Sequence, residues 1–436
     1  MGFFIHYFKR ITKAFIMPET ISNNANNTSF GTLRIFVISR LGAIPVRDAK
    51  LTLSSPDDAT LTPRNLTSNS SGLTEIISLP APNVEYSLNS DQEVRPYSIY
   101  NLSVTANGYE SVLIEGIEIL PGELALQQIV LSPLEIAEEE EETILIPPHT
   151  LYGDYPPKIP EEEIKPLPDS GEIVLSRPVI PEYVVVHDGV PTDSSAPNYW
   201  VKYTDYIKNV ASSEIYATWP ESTIYANILA IMSFTLNRVF TEWYRSRGFN
   251  FTITSSTAYD QKWIRGRNTY QRIDTLVDSI FNNYLARPGV IQPIFTSYCD
   301  GRNSLCSGLS QWGSKYLGDE GYSAIEILRY YYGNDMYIAS ADRISGVPSS
   351  FPGSTLTEGA TGDKVRQLQL QLNRIGENYP AIPKIAADGI YGPLTANAVK
   401  KFQEIFALPQ TGNTDFATWY AISRIYVGVS RLSEPS

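Results

Sequence analysis

Residues 204–244, TDYIKNVASSEIYATWPESTIYANILAIMSFTLNRVFTEWY, limit the possible folds more than any other stretch. From Ser222 onward apolar side chains fall nearly all round a helix, at Ile224, Ile228, Leu229, Ile231, Met232, Phe234, Leu236, Val239 and Phe240. A helix without a polar face belongs inside a core or a membrane. Asn227, Asn237 and Arg238 interrupt it, so a buried core helix is predicted. A shorter helix precedes it across a turn at Trp219-Pro220, with Thr204 expected as its N-cap. Ile207, Val210 and Ala211 follow at i, i+3, i+4, and Glu214 closes the same stripe at i+7. Burial there would raise the carboxyl's pKa and keep a proton available near neutral pH. The same spacing also fits a helix-end glutamate that merely pairs with an arginine.

The 436 residues leave room for two to four domains. A net charge of −13 argues against nucleic acid or an anionic membrane surface as the main partner. His6, His149 and His187 all precede residue 188, so a catalytic domain beyond that point has no imidazole of its own. That speaks there against Ser-His-Asp and Cys-His hydrolysis and against catalytic zinc. Carboxylate chemistry, or none, is what remains, and no cofactor or metal is expected. Residues 1–30 read as a leader, disordered or amphipathic. Their longest uncharged run is too short for a signal or a membrane span, so no integral membrane segment is expected and no export route is visible.

Residues 31–132 read as an antiparallel β-sandwich. LRIFVIS, VRDAKLTL, GLTEIISL and IYNLSVTA are strand-like, and in the last Tyr100, Leu102, Val104 and Ala106 alternate with polar partners before an Asn107-Gly108 turn. The turns resemble those of carboxypeptidase-regulatory-like or transthyretin-like modules, which implies a structural or inhibitory role. Residues 133–182 read as an acidic, Pro-rich linker, with EEEEE at 138–142 and the pairs Pro147-Pro148 and Pro156-Pro157. Such a segment is expected to be exposed, either a passive spacer or a place where a protease cuts.

Residues 183–350 are expected to form an α+β domain around the helix pair. In order it carries Asp205-Tyr206-Ile207-Lys208, Ser212-Ser213-Glu214, Trp219-Pro220, Ser256-Thr257 with Gln261-Lys262-Trp263, and Gly308-Leu309-Ser310-Gln311-Trp312-Gly313. This series resembles the SpoIID/LytB-like family. The resemblance implies a SpoIID-like domain that cuts peptidoglycan glycan strands by lytic transglycosylation, with Glu214 as the acid/base. Other members of the family are amidase enhancers. Leu305 stands where the family usually has a histidine, and Met232 where it has an arginine. Cys299 and Cys306, spaced C-x6-C, fit a disulfide, half a metal site or two free thiols, with a disulfide favoured outside the cytoplasm.

Residues 351–436 contain Val365, Leu368, Leu372 and Ile375 at helical spacing, then Asp388-Gly389-Ile390-Tyr391-Gly392 and Phe402-Gln403. They resemble the three-helix peptidoglycan-binding domain, which implies a shallow glycopeptide groove with Asp388 and Tyr391 as candidate contacts. The whole layout is similar to the spore cortex-lytic enzymes of the SleC type. That likeness implies a precursor with an N-terminal prosequence, activated by a subtilisin-like protease in the spore cortex or cell wall, outside the cytoplasm.

Lytic transglycosylation needs one carboxyl group. It protonates the glycosidic oxygen and then takes the proton from the C6 hydroxyl of N-acetylmuramic acid, closing a 1,6-anhydro ring. Tyr216, Gln261, Ser310, Gln311 and Trp312 are the residues expected to hold the sugar, by family likeness. Two alternatives stay open. One is a non-catalytic wall-binding or enhancer protein. The other is a hydrolytic muramidase with a second carboxylate about 5–9 Å from the first, for which Asp205, Glu221 and Asp260 are available.

Overall fold

The computed structural model describes residues 29–41, 44–91, 93–135, 141–166, 177–341, 344 and 351–430. Residues 1–28 of the expected leader, 136–140 of the acidic run and 167–176 of the expected linker lie outside them.

The N-terminal strands are β1 (Ser29–Ser39), β2 (Lys50–Ser54), β3 (Arg64–Thr67), β4 (Ile77–Ala81), β5 (Ser98–Thr105), β6 (Ser111–Ile119), β7 (Leu124–Leu131) and β8 (Glu141–Leu145), with a one-turn helix α1 (Glu85–Leu88). Alternation places Leu33, Ile35 and Val37 of β1 and Tyr100, Leu102 and Val104 of β5 in one shared core. The sheets are mixed where antiparallel pairing was expected. β1 runs parallel to β7, and β6 parallel to β8. Those pairings join strands whose connections are long enough to cross over, a property that strand-by-strand alternation does not report.

The central region contributes β9 (Tyr183–His187), β10 (Asn198–Lys202), α2 (Tyr203–Glu214), α3 (Glu221–Phe240), β11 (Ile253–Thr254), β12 (Thr269–Tyr270), α4 (Gln271–Ile280), β13 (Asn283–Ala286), β14 (Tyr298–Cys299), β15 (Leu309–Ser310), α5 (Gln311–Asp319), α6 (Ala324–Tyr332) and β16 (Tyr337–Ser340). α3 is buried along almost its whole length, Met232 included. α2 begins at Tyr203, one residue ahead of the expected cap, and Thr204 Oγ1 instead accepts from Arg424. β12 pairs antiparallel with β7, so the central region adds an edge to an N-terminal sheet. Arg267 forms a bidentate pair with buried Glu118 of β6 at 2.6 and 2.7 Å and also donates to the Ser212 carbonyl of α2. Trp219 Nε1 donates to Ser87 O of α1. One apolar core runs through both regions.

The segment expected to be an exposed linker is, from Glu141 to Pro166, bound to the folded body. Glu141 and Glu142 enter β8, and Glu142 pairs with Arg265. Gly116 makes the next step possible. It sits at φ +98, and a Cβ there would lie 2.5 Å from the Ile146 carbonyl. Beyond it Ile146, His149 and Leu151 are buried, Ile159 N donates to Ala258 O, and the backbone of Lys165 exchanges hydrogen bonds with the Gln292 amide. Glu161 takes both terminal nitrogens of buried Arg238, and Glu163 is bidentate to Arg287. Composition marks this stretch as soluble. Its carboxylates stay because fixed arginines meet them.

The C-terminal helices α7 (Asp363–Gly376), α8 (Pro393–Ile405) and α9 (Phe416–Ser430) enclose a second core of Val365, Leu368, Leu372, Phe402 and Trp419. They dock on the body through Phe36 against Phe406 and Phe281 against Phe416, with Arg424 paired to Asp205 at 2.7 Å.

Candidate functional site

Glu214 is the last residue of α2 and is 3% exposed. Its Oε1 accepts from the Lys262 backbone N–H at 2.7 Å, and its Oε2 from Gln311 Nε2 at 3.3 Å. Burial pushes the carboxyl above its ordinary range, while Lys158 and these donors pull the other way. The carboxyl borders a cavity of about 60 Å³, lined by Thr150, Tyr155 and Lys158 of the Pro-rich segment and by Tyr298, Asp300 and Gln311. Gln311 is positioned by α5, whose N-cap Ser310 accepts from Gly313 N at 2.9 Å.

Of the residues expected to hold a sugar, Gln311 alone shares this cavity with Glu214 among the described residues. Gln261 is fully buried and hydrogen-bonds inside the fold, with Tyr206, Thr235 and the Ile231 carbonyl. Ser310 is committed to its helix cap. Tyr216 and Trp312 are 1% and 4% exposed and belong to an aromatic cluster with Trp219. Asp388 accepts from Gln369 and from Ile390 N, and Tyr391 is fully buried with its hydroxyl donating to Gly412 O. These side chains build the loops that were expected to contact ligand.

Two of the three available second carboxylates are also spoken for. Asp260 is fully buried and receives Arg238, Tyr244, and both the N–H and hydroxyl of Thr254 within 2.8 Å. Asp205 is paired with Arg424, and Glu221 is exposed at the start of α3. Asp300, which borders the cavity, accepts from Asn303 N and from the N–H and hydroxyl of Ser304, holding its own loop. A disulfide joins Cys299 to Cys306 across that loop, with Cα atoms 6.0 Å apart. Leu305, on the same loop, is 86% exposed.

Chain position misleads about the histidines. His149 and His187 both precede residue 188, yet both lie inside the central fold. The His149 ring lies 4.4 Å from that of Tyr216, and His187 stacks on Phe251 at 4.5 Å. Burial and the Arg267 charge hold His149 neutral. Its Nδ1 accepts from Leu151 N. Lys158, Tyr298 and Asp300 were missed from sequence. The first hides in a Pro-rich run, and nothing in local spacing marks the other two.

Within the C-terminal helices, buried Gln369 donates to Asp388 Oδ1, Ile390 O and Thr395 Oγ1 and accepts from Gly389 N. Gln403 repeats the device on Gly412 N, Asn413 O and Thr418 Oγ1. The Leu-Gln and Phe-Gln elements are thus the clamps of the two interhelical loops.

Comparison with known proteins gives a family match over residues 361–422, described as "Putative peptidoglycan binding domain". A zinc D-Ala-D-Ala carboxypeptidase of Streptomyces albus G is 38% identical over 72 residues, which is 16% of this chain and 27% of that protein. The chain therefore spans about a quarter of that relative's length. Among solved structures, the Bacillus anthracis TIE protein aligns at TM-score 0.18 and 18% identity, over 24% of this chain and 17% of that one. GBS52, the minor pilin of Streptococcus agalactiae, aligns at 0.18 and 15%, over 26% and 48%. The 3-chlorocatechol 1,2-dioxygenase of Rhodococcus opacus 1CP aligns at 0.19 and 14%, over 28% and 71%. At such scores no fold or activity carries over. Among the described residues no helix is long and apolar enough to cross a membrane. The C-terminal helical unit of this chain is a peptidoglycan-binding domain.

Proposed function

We propose that the protein is a lytic transglycosylase of peptidoglycan, with Glu214 as its single acid/base and the C-terminal domain holding the wall polymer. The observation that carries this reading is the Glu214 carboxyl, buried at the end of α2, bordering a cavity and fixed by Lys262 N and Gln311. Burial favours the protonated form, which the first step consumes. The commitment of Asp205, Asp260 and Asp300 to other partners favours a one-carboxyl reaction over two-carboxyl hydrolysis. The likeness to SpoIID/LytB-like and SleC-type proteins points the same way and makes the spore cortex the expected wall.

The cavity has the volume of about two water molecules, whereas pockets that take small ligands enclose roughly 300–1,000 Å³. Residues 150–158 form one wall of this narrow site, and moving them aside would widen it for a sugar. This narrow form fits a precursor activated by a protease. It equally fits a non-catalytic wall-binding protein, the second reading.

The test is to incubate the full-length chain, intact and nicked by limited proteolysis, with spore cortex sacculi and to read the muropeptides by mass spectrometry. Anhydro ends that appear with the nicked chain and vanish in Glu214→Gln are expected. No new glycan ends in either form would leave the wall-binding reading, hydrated reducing ends would make it a hydrolase, and equal activity before and after nicking would end the precursor idea.

A further inference from the structure

Lys158 sits in a position that the proposed reaction does not explain. It belongs to the segment Tyr155-Pro156-Pro157-Lys158, of which Tyr155, Pro156 and Lys158 line the Glu214 cavity. Its ammonium lies 4.8 Å from the ring centres of both Phe234 and Tyr298, and donates to the backbone carbonyl of Asp260. Phe234 belongs to α3, and Tyr298 borders the same cavity as Glu214. The segment is held on both sides of this lysine. Thr150 N and Oγ1 donate to the Ser213 carbonyl, one residue before Glu214, and Ile159 N bonds Ala258 O. A cation is thus placed on an aromatic floor next to a buried carboxyl, with a single backbone carbonyl as its hydrogen-bond partner among the described residues.

We propose that Lys158 is a positioning residue whose ammonium stabilises the Glu214 carboxylate, against its burial, for as long as the Pro-rich segment lies along the cavity. This rests on the reading of Glu214 as an acid. The charged and titratable groups around Glu214 are Lys158 from the segment, Lys262 from the loop after β11, Tyr298 of β14, Asp300 beyond it and Tyr206 on α2 itself. Lys262 reaches the carboxyl through its backbone N–H, and its own charge is also coupled to Glu214; both stay when the segment moves. The Lys158 ammonium leaves with the segment. Opening would then do two things together, admitting the glycan and removing the cation that favours the carboxylate. A glycan that takes the place of the segment keeps water from the carboxyl, and without the cation the proton that the glycosidic oxygen needs is held more firmly. Access and acidity would share one trigger.

The experiment follows the Glu214 carboxyl directly by ¹³C NMR on full-length chain labelled at the glutamate carboxyl carbon, with Glu214→Gln assigning the signal. Lys158→Met retains the stem over Phe234 and Tyr298 and deletes the charge; Lys158→Arg keeps it. The expected result is a Glu214 titration displaced to higher pH in Lys158→Met and close to wild type in Lys158→Arg, both folded by circular dichroism. A Lys158→Met titration that superimposes on wild type overturns the inference. Sacculus digestion is run in parallel. A displaced titration with no glycan cleavage by any form would keep the charge coupling and discard the transglycosylase reading, so the two failures are told apart.

Discussion

Replacing Glu161 with glutamine tests how the Pro-rich segment is held. Arg238 has a fully buried side chain between Asp260 and Glu161, and the ammonium of Lys165 also pairs with Glu161 at 2.8 Å. The four charges cancel, so Glu161→Gln leaves one buried positive charge in excess. Breaking a buried pair from one side costs about 3–5 kcal/mol. Here Asp260 still faces Arg238, and the Glu161 side chain is 15% exposed, so the cost falls at or below the low end of that range and we expect about 2–3 kcal/mol. The pH dependence has a definite sign. Burial pushes the Glu161 carboxyl up, but bonds and charges from Arg238 and Lys165 outweigh it and hold the group below its ordinary value. Its contribution is therefore present above the unfolded carboxyl pKa and lost as pH falls through the lower folded value. Urea unfolding of the full chain at pH 7 should show the loss, and the gap from wild type should close in acid. Limited proteolysis should find residues 146–166 cut faster. A change under about 0.5 kcal/mol at pH 7, within the range of ordinary surface substitutions, would refute the anchoring argument.

Burial raises the Asp274 carboxyl to about 6, with Lys208 opposing and Asp278 assisting, and its Oδ1 has no hydrogen-bond partner among the described residues. Protonation favours the folded state, so stability falls as pH rises from near 4 through about 6, by on the order of 2 kcal/mol for a partly exposed group. Asp274→Asn should flatten that part of the stability–pH curve measured by thermal unfolding. Replacing Cys299 and Cys306 by serine opens the short loop that borders the cavity. On chain-entropy grounds this costs about 2.5 kcal/mol, and hydrogen exchange should rise at Asp300–Ser304 before it rises in α5. Gln369→Ala strips the Asp388–Thr395 loop of its clamp and leaves Gly389 N unpaired, a loss of about 2–3 kcal/mol. Pull-down on purified sacculi should weaken with it, while an unchanged melting profile would show that the loop holds itself.

Sequence alone determined what depends on neighbours along the chain. The nearly all-round apolar surface of residues 222–240, interrupted by Asn227, Asn237 and Arg238, predicted a buried helix, and α3 is one. The spacing of Val365, Leu368, Leu372 and Ile375 predicted a helix, and with the Asp-Gly and Phe-Gln elements the stretch resembled the peptidoglycan-binding domain that residues 361–422 match. The stripe that ends at Glu214 was visible too, because helical period and burial are properties of a single element.

The tertiary structure decided everything that needs a partner distant in sequence. Parallel pairing of β6 with β8 and the edge strand β12 come from register between segments that local alternation cannot compare. Glu141 to Pro166 carries a linker's composition and still packs, because Arg265, Arg238 and Arg287 wait for its carboxylates. His149, set aside by chain position, lies against Tyr216. Gln261 and Ser310 had the right chemistry to meet a sugar, yet their hydrogen bonds are used inside the fold. Lys158 reads as one more solvated charge in a proline run until folding sets its ammonium on Phe234 and Tyr298, beside the Glu214 cavity. A residue's type limits which bonds it can make, and only the fold determines which of those bonds remain free for a ligand.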